Sequence, residues 1–454
     1  MVKIAHLALA ELTRVECPNF ETAQANAGSF LEEWNAVQEH DFECPIQIYA
    51  GHIFDSEAAT FLPHRVLTVS EASGLIIDVQ AYDPLEIEAN TAKLFVNSNV
   101  IDLRSQTVLP GFVDAHVHLF LHPYSETSWE DQLTKESLAE RTIRATVHAK
   151  RTLLAGFTTV RDLGTEGAGD ADIALRKMLS GPSPLIPGPR YFCANRAIVS
   201  TGSYGPKGSL VLNKEGIDGI TGAEVTDGVE GCRQAVRRQI GAGADWIKVF
   251  LHHYRIRSRV APTSFVTART SMSTFSLEEI KVMVDTAHRA GVKVAVHTQD
   301  KETINTILTS PELEGFRVDS LEHGINFEQP HDADRRRWDV APASSAKPVI
   351  WVPTLSAFYT SGRYEGGPWA SLVNAFRAAL RDGFEDIACG GDTGVFAHGD
   401  NALELCLMVA LGASPVQVLR WATFGGGLRC RYIATSGDLQ KYFNSAVHKK
   451  NIIL

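Results

Sequence analysis

The residues best suited to chemistry in this chain begin with Asp114-Ala115-His116-Val117-His118. On a strand, side chains two apart project from one face, so His116 and His118 can converge on a single ion. Imidazole nitrogens bind zinc at roughly 2.0–2.1 Å, and two of them supply half of a tetrahedral set. An HxH pair alone is as compatible with two structural or surface histidines as with a metal. Lys248, His297, His323 and Asp392 change that balance, because each closes a run that reads as a strand. Singly they have plain explanations: a lysine buried against an acid, core histidines with satisfied hydrogen bonds, a helix cap. All of them together, in this order, make the plain explanations remote.

The elements that must position them are legible. Eight strand-like runs follow residue 109: LPGFVDAHVH, GFTTVRDLG, RYFCANRAIV, ADWIKVFL, VKVAVHT, VDSLEHG, VIWVPTL and FEDIACGGD. Amphipathic or Ala-rich stretches such as LAERTIRATVHAKRTLLA and SLEEIKVMVDTAHRAG separate most of them. Alternating strand and helix predicts a parallel sheet of the α/β class, and eight units over 109–424 predict a (β/α)8 TIM-like barrel. Active sites of such barrels lie at the C-terminal strand ends, and five of the eight strands deliver one of the residues above to that rim. A doubly wound open sheet is the rival, but no GxGxxG follows a strand. Residues 46–108 read as a small antiparallel sheet from IQIYAGHIF, HRVLTVS, SGLIIDVQAY and KLFVNSNVIDL. Residues 1–45 form an N-terminal leader without a motif, and 425–454 an atypical C-terminal tail.

Bulk properties narrow the function classes. A net charge of -10 gives no reason to expect a nucleic-acid partner, which needs a basic face. The seven cysteines, Cys17, Cys44, Cys193, Cys232, Cys389, Cys406 and Cys430, are odd in number and contain no CxxC. Neither a disulfide framework nor a cysteine zinc site is expected, and a reducing compartment is. No run approaches the roughly 20 apolar residues that span a bilayer. The N-terminal apolar patch is soon broken by Glu11, Arg14 and Glu16. A cytoplasmic protein without a membrane partner is the expectation, with homo-oligomerisation left open.

The pattern resembles the amidohydrolase superfamily, in which HxH, a strand-four lysine, two later histidines and a strand-eight aspartate build the metal site. VLPGFVDAHVHLF resembles the family's opening block, and TTVRDLG, WIKVF, VAVHT, SLEHG and GGDTGVFAHGDN resemble later ones. The resemblance covers about 46 to 424 and is nearest to the imidazolonepropionase-related branch, with its ochratoxinase-like amidases and Xaa-Pro dipeptidase-like enzymes. It implies two divalent metal ions, zinc above all. His116, His118 and Asp392 would hold the more buried ion, and His297 and His323 the more exposed one. A CO2-derived carbamate on Lys248 and a hydroxide would bridge them. The implied reaction is hydrolysis of a C–N bond in a small amide or dipeptide, with Asp392 moving the proton.

Substrate contacts are less defined. Tyr204, Tyr254, Arg255 and His398 fall on loops expected to line the mouth, where Arg255 or a tyrosine could hold a carboxylate. Two alternatives stand beside the binuclear hydrolase. One is a mononuclear deaminase or cyclic-amide hydrolase, disfavoured by Lys248 and by the absence of a glutamate in His297-Thr298-Gln299-Asp300. The other is a catalytically inactive scaffold, disfavoured because no ligand position is lost. One departure from the family is visible. After Leu419-Arg420-Trp421-Ala422-Thr423 no closing strands follow, so the small β-sandwich is expected to be incomplete and to expose an edge.

Overall fold

A computed structural model describes residues 45–71, 74–94, 97–181, 184–204, 222–252, 273–313, 315–328, 349–362 and 368–429. The first unit is a four-stranded sheet in the order β3-β2-β1-β4, from β1 (Ile46–Asp55), β2 (Thr60–Val69), β3 (Ile76–Ala81) and β4 (Val100–Val108). Ile48, Ala50, Leu67 and Val69 form its apolar core. The sequence predicts this sheet as antiparallel throughout. In the structure β1–β2 and β2–β3 are antiparallel, but β1–β4 is parallel. A parallel return needs a crossover, and helix α1 (Pro84–Leu94) supplies it. The chain segment read as the strand KLFVNSNVIDL therefore starts inside that helix and becomes β4 only at Val100.

The second unit is the barrel. Its strands are β5 (Phe112–Val117), β6 (Phe157–Asp162), β7 (Arg190–Cys193), β8 (Ile198–Val199), β9 (Glu224–Val225), β10 (Trp246–Phe250), β11 (Lys293–Thr298), β12 (Ser320–His323) and β13 (Ile350–Val352). They pair in parallel as β5-β6-β7 and as β13-β12-β11-β10-β8-β9. Asp245 N donates to Cys193 O at 2.8 Å and joins the two sets between β7 and β10. The helices α2 (Trp129–Thr134), α3 (Leu138–Leu154), α4 (Ala171–Leu179), α5 (Gly228–Ala242), α6 (Leu277–Arg289), α7 (Lys301–Thr309), α8 (Leu355–Ser361), α9 (Pro368–Arg381), α10 (Ala402–Ala410) and α11 (Pro415–Arg420) accompany them, with a π-helical turn at Trp421–Arg429. Their starts carry readable signals: Ser276 and Glu279 form a capping box on α6, as Ser414 and Gln417 do on α11.

Two elements differ from the sequence expectation. The run RYFCANRAIV is not one strand. It breaks at Asn195, whose φ of 62° lies in the left-handed region, into β7 and β8. The eighth run, FEDIACGGD, is no regular strand but a segment laced between β13 and β5. Ala388 N donates to Trp351 O at 3.0 Å, Ala115 N to Cys389 O at 2.9 Å, and Asp392 N to His116 O at 2.8 Å. Glycine permits this tight closure: a Cβ on Gly390 would lie 2.6 Å from Val352 Cγ1 and 2.9 Å from His116 N.

Strand alternation sorts the barrel's interior. Ile247, Val249, Val294, Val296 and Leu321 face the helices in the largest apolar cluster. Trp246, Lys248 and Phe250 occupy the other face of β10. Trp246 packs against Leu163, Ala194 and Ala295, with the Arg161 guanidinium 4.4 Å from its ring centroid. The strands are thus buried on both sides, as parallel strands under helices must be, and the inward side carries the polar residues.

Candidate metal centre at the barrel mouth

His116 and His118 leave β5 on one face, and Asp392 approaches them from the closing segment. Their ligand atoms lie within 4.8 Å of one another. His118 Nε2 stands 3.3 Å and His116 Nε2 3.6 Å from Asp392 Oδ1. Asp392 has a φ of 63°, a strained setting held by the backbone bond to His116 O. Burial opposes its ionisation, but His116 and His118 overcome that and hold its carboxyl far below the usual carboxylate range. Burial likewise pulls His118 down, yet its hydrogen bond to Asp392 and the surrounding acids raise it to about 9. His116, buried and beside Lys248, falls to about 4.

The remaining predicted residues gather at the same mouth. The His323 ring lies 5.0 Å from His116 and 4.4 Å from His297, centroid to centroid. His297 stacks on Phe250 at 4.3 Å, and Lys248 Nζ is 5.5 Å from the Phe250 ring. Both Glu322 and His323 reach this interior, although successive strand residues normally face opposite sides. The φ of 67° at His323 turns the chain so that its ring joins the mouth. Burial, reinforced by neighbouring cations, depresses His297 and His323 well below the ordinary histidine range, so both are neutral. Lys248 is 1% exposed, and its Nζ has no hydrogen-bond partner among the described residues. Burial lowers it to about 8. A buried amine with no partner costs free energy unless something occupies or modifies it.

The orientation of the imidazoles is specified from behind. His116 Nδ1 donates to Glu322 Oε2 at 2.8 Å, and His118 Nδ1 to Gly164 O at 2.8 Å. His323 Nδ1 and Thr354 Oγ1 are 2.7 Å apart. With Nδ1 so committed, Nε2 is the nitrogen left to bind a metal. The donor set of imidazoles and carboxylate, with the unpartnered amine beside it, fits a divalent metal of the zinc type.

These orienting groups are the residues that sequence reasoning missed. Glu322 accepts from His116, from Arg161 Nη2 at 2.8 Å and from Ser320 Oγ at 2.6 Å. Arg161 also donates from Nε to Ala115 O at 2.6 Å. The available signal lay in the strand-end strings TTVRD and SLEHG, where Arg161 and Glu322 place opposite charges next to strand-end residues of the site.

The residues read as substrate contacts fare differently. Tyr204 is 8% exposed, and its hydroxyl donates to Glu166, which also accepts from Trp129 Nε1 at 3.2 Å. Its ring sits between Trp129 and Phe250 at 5.5 and 4.8 Å. That makes Tyr204 part of an aromatic wall beside Lys248, with its hydroxyl already engaged by a carboxylate. His398 Nε2 donates to Leu121 O at 2.9 Å, and its ring stacks on His148 at 4.2 Å. His398 thus braces the loop after β5. Tyr254 and Arg255 lie outside the described residues.

The chain is similar to proteins of known family and structure. The sequence profile of the amidohydrolase family matches residues 107–434. Ochratoxinase of Aspergillus niger is 29% identical over 363 residues, spanning 74% of this chain and 68% of that one. Among solved structures, a Xaa-Pro dipeptidase with methionine bound in its active site superposes with a TM-score of 0.62 at 25% identity, covering 83% of this chain and 86% of that one. The A. niger ochratoxinase crystal structure gives 0.61 at 25% identity, with 86% and 85% covered. Molinate hydrolase, at 17% identity and 0.60, shares the fold. The chain belongs to the amidohydrolase family and is an enzyme that acts on carbon–nitrogen bonds.

Proposed function

We propose that this enzyme is a binuclear metal-dependent hydrolase that cleaves the amide bond of a small N-acyl amino acid or dipeptide. The observation that carries this reading is Lys248: a buried amine with no hydrogen-bond partner among the described residues, beside a cluster in which His116, His118 and His323 each have Nδ1 engaged. A mononuclear deaminase has no use for that amine. Carboxylated by CO2, with loss of one proton, Lys248 would offer an anion with two oxygens to two cations. His116, His118 and Asp392 would hold one ion, and His297 and His323 the other. The similarity to ochratoxinase and to a Xaa-Pro dipeptidase supports an amide or dipeptide substrate. We assign residues 46–108 to the small domain and 109–424 to the barrel. The free cysteines Cys193, Cys232, Cys389 and Cys406 are consistent with a reducing, cytoplasmic setting. Among the described residues no helix is long and apolar enough to cross a membrane.

Divalent metal bound at such a site lowers the pKa of water toward ~7 and polarises a carbonyl. The chain's own groups then divide the work. Asp392, ionised and next to both HxH rings, takes the proton of the attacking water and delivers it to the departing nitrogen. Glu322 and Arg161 keep His116 in one tautomer. The wall of Trp129, Tyr204 and Phe250 offers apolar surface beside Lys248 and excludes water there. The test is a panel of dipeptides and N-acyl amino acids, with released amine measured before and after metal removal. Hydrolysis that disappears with the metal and returns with zinc supports the proposal. Ammonia release from a heterocyclic amine, with no amide turnover, would favour the deaminase instead.

A further inference from the structure

Helix α10 begins beside the barrel mouth with two fully buried polar side chains, Asn401 and Glu404, one turn apart. Asn401 Nδ2 donates to Asp114 Oδ2 at 2.8 Å. The other oxygen of Asp114 accepts from His116 N at 3.1 Å and Gly391 N at 3.2 Å. This one carboxylate therefore ties the HxH strand to the residue preceding Asp392. Glu404 reaches the start of α8, which follows β13. Its carboxylate accepts from Leu355 N at 2.9 Å, Ser356 N at 2.7 Å and Ser356 Oγ at 2.8 Å. Those residues immediately follow Thr354, which sits at a φ of 54°. A β-branched residue there is a genuine outlier and persists only when its surroundings enforce it. Thr354 Oγ1 is the partner of His323 Nδ1.

We infer that the first turn of α10 is a clamp, in which Asn401 and Glu404 are positioning residues that lock the two halves of the metal centre against each other. Asn401 acts through Asp114 on His116, His118 and Asp392. Glu404 acts through the backbone of Leu355 and Ser356 on Thr354, and thereby on His323. A buried carboxyl group spent on two backbone N–H groups and a hydroxyl is a costly way to start a helix of seven residues. Fixing the hydroxyl that orients a ligand explains why it is there. This inference rests on the metal-site reading above.

The experiment compares the full-length wild type with Asn401→Ala, Glu404→Ala, Thr354→Val and Thr354→Ser. Each is loaded with zinc and bicarbonate, then dialysed against graded chelator, with metal content and thermal midpoint measured on the same samples. Loss of a group that orients a ligand typically weakens metal affinity roughly 10–100-fold. Asn401→Ala, Glu404→Ala and Thr354→Val should therefore release metal at roughly tenfold lower chelator or less, and Thr354→Ser, which keeps the hydroxyl, should follow the wild type. Wild-type retention in both Glu404→Ala and Thr354→Val, with only the thermal midpoint lowered, overturns the clamp. A crystal structure of the metal-free Glu404→Ala protein reads it independently. Thr354 should leave the left-handed region and lose His323; a Thr354 unchanged on both counts overturns the clamp. A wild type that binds no zinc would sink the metal reading and leave this geometric test to decide the clamp.

Discussion

Glu322→Leu probes the support behind His116. The Glu322 side chain is fully buried and joins three partners, including the 3%-exposed Arg161. Removing one member of a buried ion pair leaves the other uncompensated, which costs about 3–5 kcal/mol. Losing the charge-assisted bond to His116 adds about 1.5–3 kcal/mol where that nitrogen finds no new acceptor. Against a total stability of about 5–15 kcal/mol, the single variant should lose roughly a fifth of it or more. Glu322→Leu with Arg161→Met removes both charges from the interior and should cost less than Glu322→Leu alone. The assay is urea unfolding of the metal-free proteins, with the linear slopes checked for equality. A single variant within about 1 kcal/mol of wild type, or a double variant as damaged as the single, refutes the argument that Arg161 depends on Glu322.

Asp392→Asn should abolish amide turnover yet keep more metal than His116→Ala, because an amide oxygen can still approach the ion but accepts no proton at neutral pH; normal turnover with metal bound would remove Asp392 from proton transfer. The loss should be at least the roughly 10²–10⁴-fold of general acid–base catalysis. The metal-free protein should lose stability as pH rises. The folded value of His118 is raised from 6.5 to about 9, so its contribution is complete below 6.5 and fades toward 9. That difference corresponds to about 3 kcal/mol. Burial raises Glu404 from 4.5 to about 8, which gives the same sign up to that pH. Lys248, lowered to about 8, opposes the trend above it, so pH 6.5 to 8 is the clean window. Urea midpoints that are flat or rising there would contradict the His118–Asp392 pairing. With zinc bound, the ion replaces the His118 proton and the slope should shrink.

Much of the site was legible because its residues sit at strand ends. His116, Lys248 and His297 lie on regular strands, where alternation alone aims them inward, and His118 comes directly after the last residue of β5. His323 and Asp392 gather there for another reason, a left-handed backbone that periodicity does not announce. Glu322, Thr354, Asn401 and Glu404 were not legible, because each acts on a partner distant in sequence: Glu322 on His116 is a separation of 206 residues. In the fold, the parallel β1–β4 pairing was missed because Lys93 and Leu94 read as the start of a strand while closing a helix. The break in RYFCANRAIV at Asn195 was missed because an asparagine in an apolar run looks like a polar strand position rather than a turn.

Metal content and the state of Lys248 decide the chemistry of this enzyme. Protein purified after growth with zinc and 13C-labelled bicarbonate can be assayed for metal by mass spectrometry and for a carbamate by 13C NMR. Two histidine sets flanking one carboxylated lysine predict about two ions per chain and a carbamate signal lost in Lys248→Ala. About one ion, no carbamate, and metal content unchanged by Lys248→Ala would contradict it.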